Sequence, residues 1–87
     1  MEDEMINPEA LKTMSLSQIA RLIRRNWPKV NYAAQPYLSA MSSLESVSDN
    51  YGADSGKSVV LYFLSNAASW RGETAKAVKK ELNRRIK

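Results

Sequence analysis

The chain has 87 residues, no cysteine and no histidine, and a formal net charge of +4 at pH 7. Its length accommodates one domain with a single modest core. The two missing residue types exclude disulfides and thiolate nucleophiles, and they remove the commonest general base and metal ligand. The composition therefore predicts a binding protein without enzymatic activity, bound metal or cofactor.

The sequence also predicts a cytoplasmic protein that does not engage a membrane. The longest apolar run, from Val59 to Leu64, is far shorter than the ~20 residues that cross a bilayer. The N-terminal sequence MEDEMINPEA is acidic and lacks the layout of a signal peptide.

Charge is distributed unevenly along the chain. Residues 1–14 carry four carboxylates and one lysine, whereas residues 15–87 carry twelve cations and five carboxylates. We predict a flexible acidic arm over 1–14 and a helical domain over 15–87. A basic domain favours anionic partners, although a basic surface that is merely solvated explains the same composition.

The segment SLSQIARLIRRNWP, residues 15–28, has the clearest helical pattern. Ser15 followed three residues later by Gln18 is typical of a capping box at a helix start. The apolar residues that follow recur at the spacing of one helix face, opposite the arginines. Pro28 ends this helix because it disfavours helical geometry at the residue before it.

Two further helices are predicted in the middle of the chain. YAAQPYLSAMSSLESV, residues 32–47, begins its helix near Pro36 and turns apolar side chains inward as far as Val47. SVVLYFLSNAASW, residues 58–70, has a strand-like composition, but it continues without a turn signal and has no second strand to pair with. We predict a helix that is apolar on nearly every side and lies at the centre of the fold.

The last segment, RGETAKAVKKELNRRIK, repeats apolar residues at helical spacing at Ala75, Val78, Leu82 and Ile86. Taken together, the patterns predict an all-α single domain, a bundle of about four helices with a central apolar helix.

The stretch GADSGKS, residues 52–58, resembles the end of a nucleotide-binding P-loop. Such a loop needs two glycines separated by four residues, whereas Gly52 and Gly56 are separated by three, and no buried strand precedes them. We predict instead a helix start capped by Asp54, with Gly52 in a left-handed turn before it. A weaker alternative is that free N–H groups and Lys57 hold a phosphate group of a partner.

The cations of the last helix are the best candidates for a binding site. At ~100° per residue, four of them gather on roughly 80° of the helix surface. Lysine and arginine contacts to phosphates supply most non-specific affinity for nucleic acid, although an outer charged face is equally often only solvated. The predicted nucleic-acid-binding residues are Lys76, Lys79, Lys80, Arg84 and Lys87, extended by Arg71, Lys57, Arg24 and Arg25.

A protein partner is the competing hypothesis. An inhibitor or adaptor needs an exposed apolar patch at which it docks on another protein. The candidates for such a patch are Tyr32, Tyr37, Met41 and Tyr51.

Three short motifs carry a resemblance to known proteins: PY at 36–37, YGADS at 51–55 and WRG at 70–72. With the surrounding sequence they resemble small uncharacterised proteins of phages and other mobile elements, over about residues 15–87. The resemblance implies either a DNA-associated accessory protein or a small inhibitor of a host or defence protein, such as an anti-CRISPR-like protein. It carries no activity or site residues with it, and a basic chain has the wrong charge for a DNA mimic.

Overall fold

The computed structural model describes residues 7–87. Five helices and one two-stranded antiparallel sheet occur within this range. In chain order they are α1 (Pro8–Leu11), α2 (Leu16–Asn26), α3 (Gln35–Met41), β1 (Asn50–Tyr51), β2 (Asp54–Ser55), α4 (Gly56–Ser65) and α5 (Glu73–Ile86). The predicted helical fold is thus confirmed in its broad character, but the domain is not purely α-helical. None of the helices within residues 7–87 is long and apolar enough to span a lipid bilayer.

Helix α2 begins as its sequence predicts. The Ser15 hydroxyl accepts the backbone N–H of Gln18 at 3.2 Å, and the Gln18 side chain accepts the backbone N–H of Ser15 at 2.9 Å. This reciprocal pair satisfies two donors that the helix itself leaves open. The helix ends at Asn26, and Trp27, the residue before Pro28, has left helical geometry.

Helix α3 is shorter than the predicted helix over residues 32–47, because it ends at Met41. The Ser42 hydroxyl donates to the carbonyl oxygen of Ser39 at 2.7 Å. Such a bond from a serine side chain competes with the backbone hydrogen bonds of a helix and so weakens the helix. Residues 42–49 form turns whose carbonyl oxygens cap two other helices. Glu45 and Leu44 accept the first two N–H groups of α2, at 3.0 and 2.9 Å.

The two strands form a hairpin that the sequence did not predict. Asn50 pairs with Ser55 and Tyr51 with Asp54, which leaves a two-residue loop at Gly52 and Ala53. Gly52 has φ +61°, and no residue other than glycine has a positive φ within residues 7–87. A positive φ at the first loop position alone fits a type II′ turn, where glycine is the favoured residue. The predicted left-handed Gly52 is therefore present, but in a hairpin loop.

The core lies between α2, α3, α4 and α5. The indole ring of Trp27 stacks on that of Trp70 with centroids 5.7 Å apart and meets Phe63 edge-on at 6.3 Å. The Trp70 indole N–H donates to the Asn26 side chain at 2.9 Å, so the one polar atom of that ring is satisfied.

Helix α4 does not have the all-round burial predicted for it. Val59, Val60 and Phe63 are buried, whereas Leu61 and Tyr62 are half exposed. The helix also ends at Ser65 instead of continuing to Trp70, because the Asn66 side chain donates to the carbonyl oxygen of Tyr62 and caps the last turn. Helix α4 therefore packs one side against the core and exposes the other side to solvent.

The boundary predicted at residue 15 does not separate an arm from a domain. Residues 1–6 of the predicted arm lie outside the described residues, but residues 7–14 fold onto α5. Leu11 is only 1% exposed and belongs to the core. Pro8 fits the first position of α1, and the Asn7 side chain accepts the N–H of Glu9 at 2.9 Å.

Candidate functional site

The outer side of α5 carries a row of exposed cations. Ala75, Val78 and Leu82 are buried against the core, and this fixes which side of the helix faces solvent. The exposed cations of that side, which we call the α5 strip, are Lys76, Lys80, Arg84 and Lys87. They occupy roughly 80° of the helix circumference on a helix about 21 Å long. Glu73 lies on the same side in the first turn, where its negative charge interacts favourably with the helix dipole.

Beside the α5 strip lies a buried carboxylate that is fully paired. Glu81 accepts two hydrogen bonds from Arg84, at 3.0 and 2.7 Å, and one from Arg85 at 2.6 Å. The hydrogen bond from Arg84 lowers the pKa of Glu81 to about 2, against an opposing effect of burial and with further lowering by Arg85. Glu81 is therefore ionised at neutral pH, and two guanidinium groups compensate its single charge.

Helix α1 lies against α5 and forms a groove with it. The groove has a volume of about 700 Å³, within the range of ligand pockets in proteins. Its apolar lining consists of Pro8, Leu11 and Ala77. Its cationic lining consists of Lys12, Lys80, Arg84 and Lys87, so three of the four cations of the α5 strip belong to this α1–α5 groove. Glu9, the other carboxylate that lines it besides Glu81, pairs with Lys12 at 3.4 Å.

Lys79 was predicted to lie with the outward cations of α5, but the structure places it elsewhere. Its ammonium group donates to the carbonyl oxygen of Trp70 at 2.6 Å and lies 5.9 Å from the centroid of that ring. Burial lowers the pKa of Lys79, and the positive charge of Arg71 lowers it further. A shallow depression of about 290 Å³ brings Lys79, Arg71 and Lys76 together beside Trp70. Lys79 thus holds the turn before α5, while Arg71 extends the basic surface beyond the strip.

The other predicted cations lie elsewhere on the surface. Arg24 donates to the Ser39 hydroxyl at 3.0 Å and so joins α2 to α3. Arg25 is exposed near the end of α2, and Lys57 is exposed in the first turn of α4. Among the described residues that line the α1–α5 groove, none comes from this group.

Two residues of the site were missed by the sequence analysis. Lys12 was assigned to the flexible arm, because nothing in the sequence shows that α1 packs on α5. Arg85 was passed over because its position places it beside the apolar stripe. One signal could have found it: Arg85 follows Glu81 by four residues, the spacing of an ion pair on one helix.

The GKS segment does not form a phosphate site, because the first N–H groups of α4 already have acceptors. The N–H of Gly56 donates to Asp49 O at 2.6 Å, that of Lys57 to Val47 O at 3.0 Å, and that of Ser58 to the Ser55 hydroxyl at 3.1 Å. The cap is therefore Ser55, whose hydroxyl accepts the Ser58 N–H, and not Asp54. The alternative of a phosphate held by free N–H groups beside Lys57 is wrong.

The residues named for a protein-binding patch do not share one environment. Met41 is fully buried, and Tyr32 is 90% exposed. Tyr37 packs partly on the core and contacts Tyr62, with ring centroids 5.5 Å apart. Tyr51 lies in the hairpin.

Comparison with known proteins returns no match among family models, curated proteins or solved structures. The resemblance to proteins of phages and mobile elements stays a prediction.

Proposed function

We propose that this protein is a non-enzymatic nucleic-acid-binding protein that contacts phosphate groups through the α5 strip. The observation that carries the proposal is the row of four exposed cations on one side of a single helix, next to a carboxylate that two arginines already neutralise. A phosphate approaching this side meets attraction along the helix, and Glu73 in its first turn is the one carboxylate on the strip side of α5 that is left without an ion pair.

The distribution of charge over the fold supports the same surface. Among the described residues, α1 with Lys12 and the segment 71–87 together carry eight cations and three carboxylates, of which Glu9 and Glu81 are in ion pairs. The segment 45–57, which includes the hairpin, carries three carboxylates and one lysine. Such a difference in charge attracts a polyanion to α1 and α5 and not to the segment 45–57.

Three of the four side chains of the α5 strip are free for phosphate contacts, since those of Lys76, Lys80 and Lys87 make no hydrogen bond or ion pair within residues 7–87. The fourth, Arg84, pairs with Glu81 and remains 57% exposed. Contacts of this kind carry no base sequence information, so the binding we propose is independent of sequence.

The proposal is tested by fluorescence anisotropy with labelled nucleic acid at about 50 mM salt. The variant Lys76→Gln/Lys80→Gln/Lys87→Gln removes three strip charges and leaves the Glu81 ion pairs intact. The matched control, Arg21→Gln/Lys29→Gln/Lys57→Gln, removes the same charge from exposed positions outside α5. We expect the strip variant to bind about tenfold more weakly or worse, and the control to bind close to wild type.

Equal losses in the two variants would show that net charge and not the α5 strip governs binding. Failure of the wild type to bind any nucleic acid, with an intact helical circular dichroism spectrum, would contradict the proposal. That result would favour the protein-partner hypothesis, for which the half-exposed Leu61 and Tyr62 on α4 are the first positions to change.

A further inference from the structure

We propose that the α1–α5 groove receives the bases of a single-stranded nucleic acid whose phosphates lie on Lys80, Arg84 and Lys87. This inference rests on the proposed function and specifies its ligand class. It predicts that the protein prefers single strands to duplexes.

The groove combines apolar and cationic lining in one cavity. Pro8 and the half-buried Ala77 offer surface that favours an apolar ligand face, whereas Leu11 is only 1% exposed. Cations of the α5 strip line the same space. A single strand has both chemistries, since its unpaired bases expose flat apolar faces beside a charged backbone. A duplex stacks its base faces inside, so it has no flat base face to place against the apolar lining.

The groove is a fixed feature of the fold. The Arg85 guanidinium donates both to Glu81 and to the carbonyl oxygen of Leu11, and this holds α1 at its distance from α5. Leu11 itself is anchored in the core. The cavity of about 700 Å³ therefore does not require the ligand to open it.

The cations that line the groove are regularly spaced along α5. Lys80, Arg84 and Lys87 follow one another along α5 at intervals of four and three residues, which is about 6 Å and 4.5 Å of helix rise. All three line the groove, so a backbone that contacts them passes beside the apolar lining.

Ala77 allows a direct test. It is half-buried and lines the groove, so Ala77→Leu fills the cavity without changing charge, and leucine is a good helix former. The matched control is Ala68→Leu, at an exposed position in the turn after α4. Three labelled probes of equal length are compared by anisotropy at low salt: a twelve-nucleotide oligothymidylate, an abasic backbone of the same charge and a twelve-base-pair duplex.

We expect the affinity of the wild type for oligothymidylate to be at least about fivefold higher than its affinity for the abasic backbone. This factor is at the lower end of the range for base stacking, because the lining of the groove is aliphatic and not aromatic. Ala77→Leu should reduce this preference to near one without changing the affinity for the abasic probe. Ala68→Leu should retain the wild-type preference. The wild-type comparison needs no variant, so the test holds even if Ala77→Leu does not fold.

Equal wild-type affinity for all three probes would overturn this inference and leave the proposed function standing, because phosphate contacts alone would then explain binding. No binding of any probe would overturn both. If an acidic amphipathic peptide of twelve residues binds instead, and Ala77→Leu abolishes its binding, the groove is a protein-docking site and the inference is wrong.

Discussion

Arg85 and Leu11 lie 74 positions apart in the chain and are joined by a hydrogen bond: the Arg85 Nη2 donates to the carbonyl oxygen of Leu11 at 2.7 Å. The same guanidinium donates through Nε to Glu81 at 2.6 Å. One side chain thus connects the C-terminal end of α1 to the last two turns of α5, and both walls of the α1–α5 groove depend on it.

We expect Arg85→Ala to destabilise the protein by about 1–3 kcal/mol, because it removes two charged hydrogen bonds from a side chain that is 13% exposed. The control Arg84→Ala removes a partner that is 57% exposed and screened by solvent, so it should destabilise the protein less than Arg85→Ala does. Urea unfolding measures both values. Hydrogen exchange should also show that α1 loses protection in Arg85→Ala and keeps it in Arg84→Ala. Equal effects of the two substitutions would contradict the connecting role of Arg85.

The pKa of Glu81 predicts how stability depends on acid. The folded state holds this pKa at about 2, below its ordinary value of 4.5, so the folded state binds this proton less readily than the unfolded state. The stabilising contribution of the ionised carboxylate is complete above pH 4.5 and is lost as the pH falls towards 2. The free energy of unfolding of the wild type should therefore fall more steeply between pH 5 and pH 2 than that of Glu81→Gln. Parallel curves from urea titrations would show that Glu81 does not contribute this pH dependence.

Gly56 is required by a close approach of backbone and not by its own dihedral angles. A Cβ atom at this position would lie 2.9 Å from Ser46 O and 3.0 Å from Asp49 O. We expect Gly56→Ala to cost about 1–3 kcal/mol, although the same change at an open helix position stabilises by about 0.5–1 kcal/mol. The control Gly52→Asn meets no neighbouring atom and should cost only the strain of its positive φ, about 1 kcal/mol for a residue that tolerates this region. A Gly56→Ala protein as stable as wild type in urea would refute the proposed packing.

Local signals allowed the sequence to predict α2 and α5 closely. The Ser15–Gln18 capping box and the apolar stripe at Ala75, Val78 and Leu82 depend on spacing within one helix, and the structure has both. The choice between Asp54 and Ser55 as the cap could not be made, since both are good capping residues and no local pattern fixes Gly56 as the first residue of α4.

Features that depend on distant segments could not be predicted. The early end of α3 follows from the turns at 42–49, whose carbonyl oxygens accept N–H groups from both α2 and α4. Lys79 has the spacing of an outward cation, yet the Trp70 carbonyl oxygen draws it inward. The α1–α5 groove depends on Leu11, a single apolar residue whose burial no periodic pattern indicates.

The salt dependence of binding tests the central claim most directly. Four phosphate contacts by the α5 strip should give a slope of about −2.8 for log affinity against log salt with a single strand. Lys76→Gln/Lys80→Gln/Lys87→Gln should reduce the slope to about −0.7, while Arg21→Gln/Lys29→Gln/Lys57→Gln should keep it close to −2.8. A wild-type slope near zero, or the same slope in both variants, would contradict binding through the α5 strip.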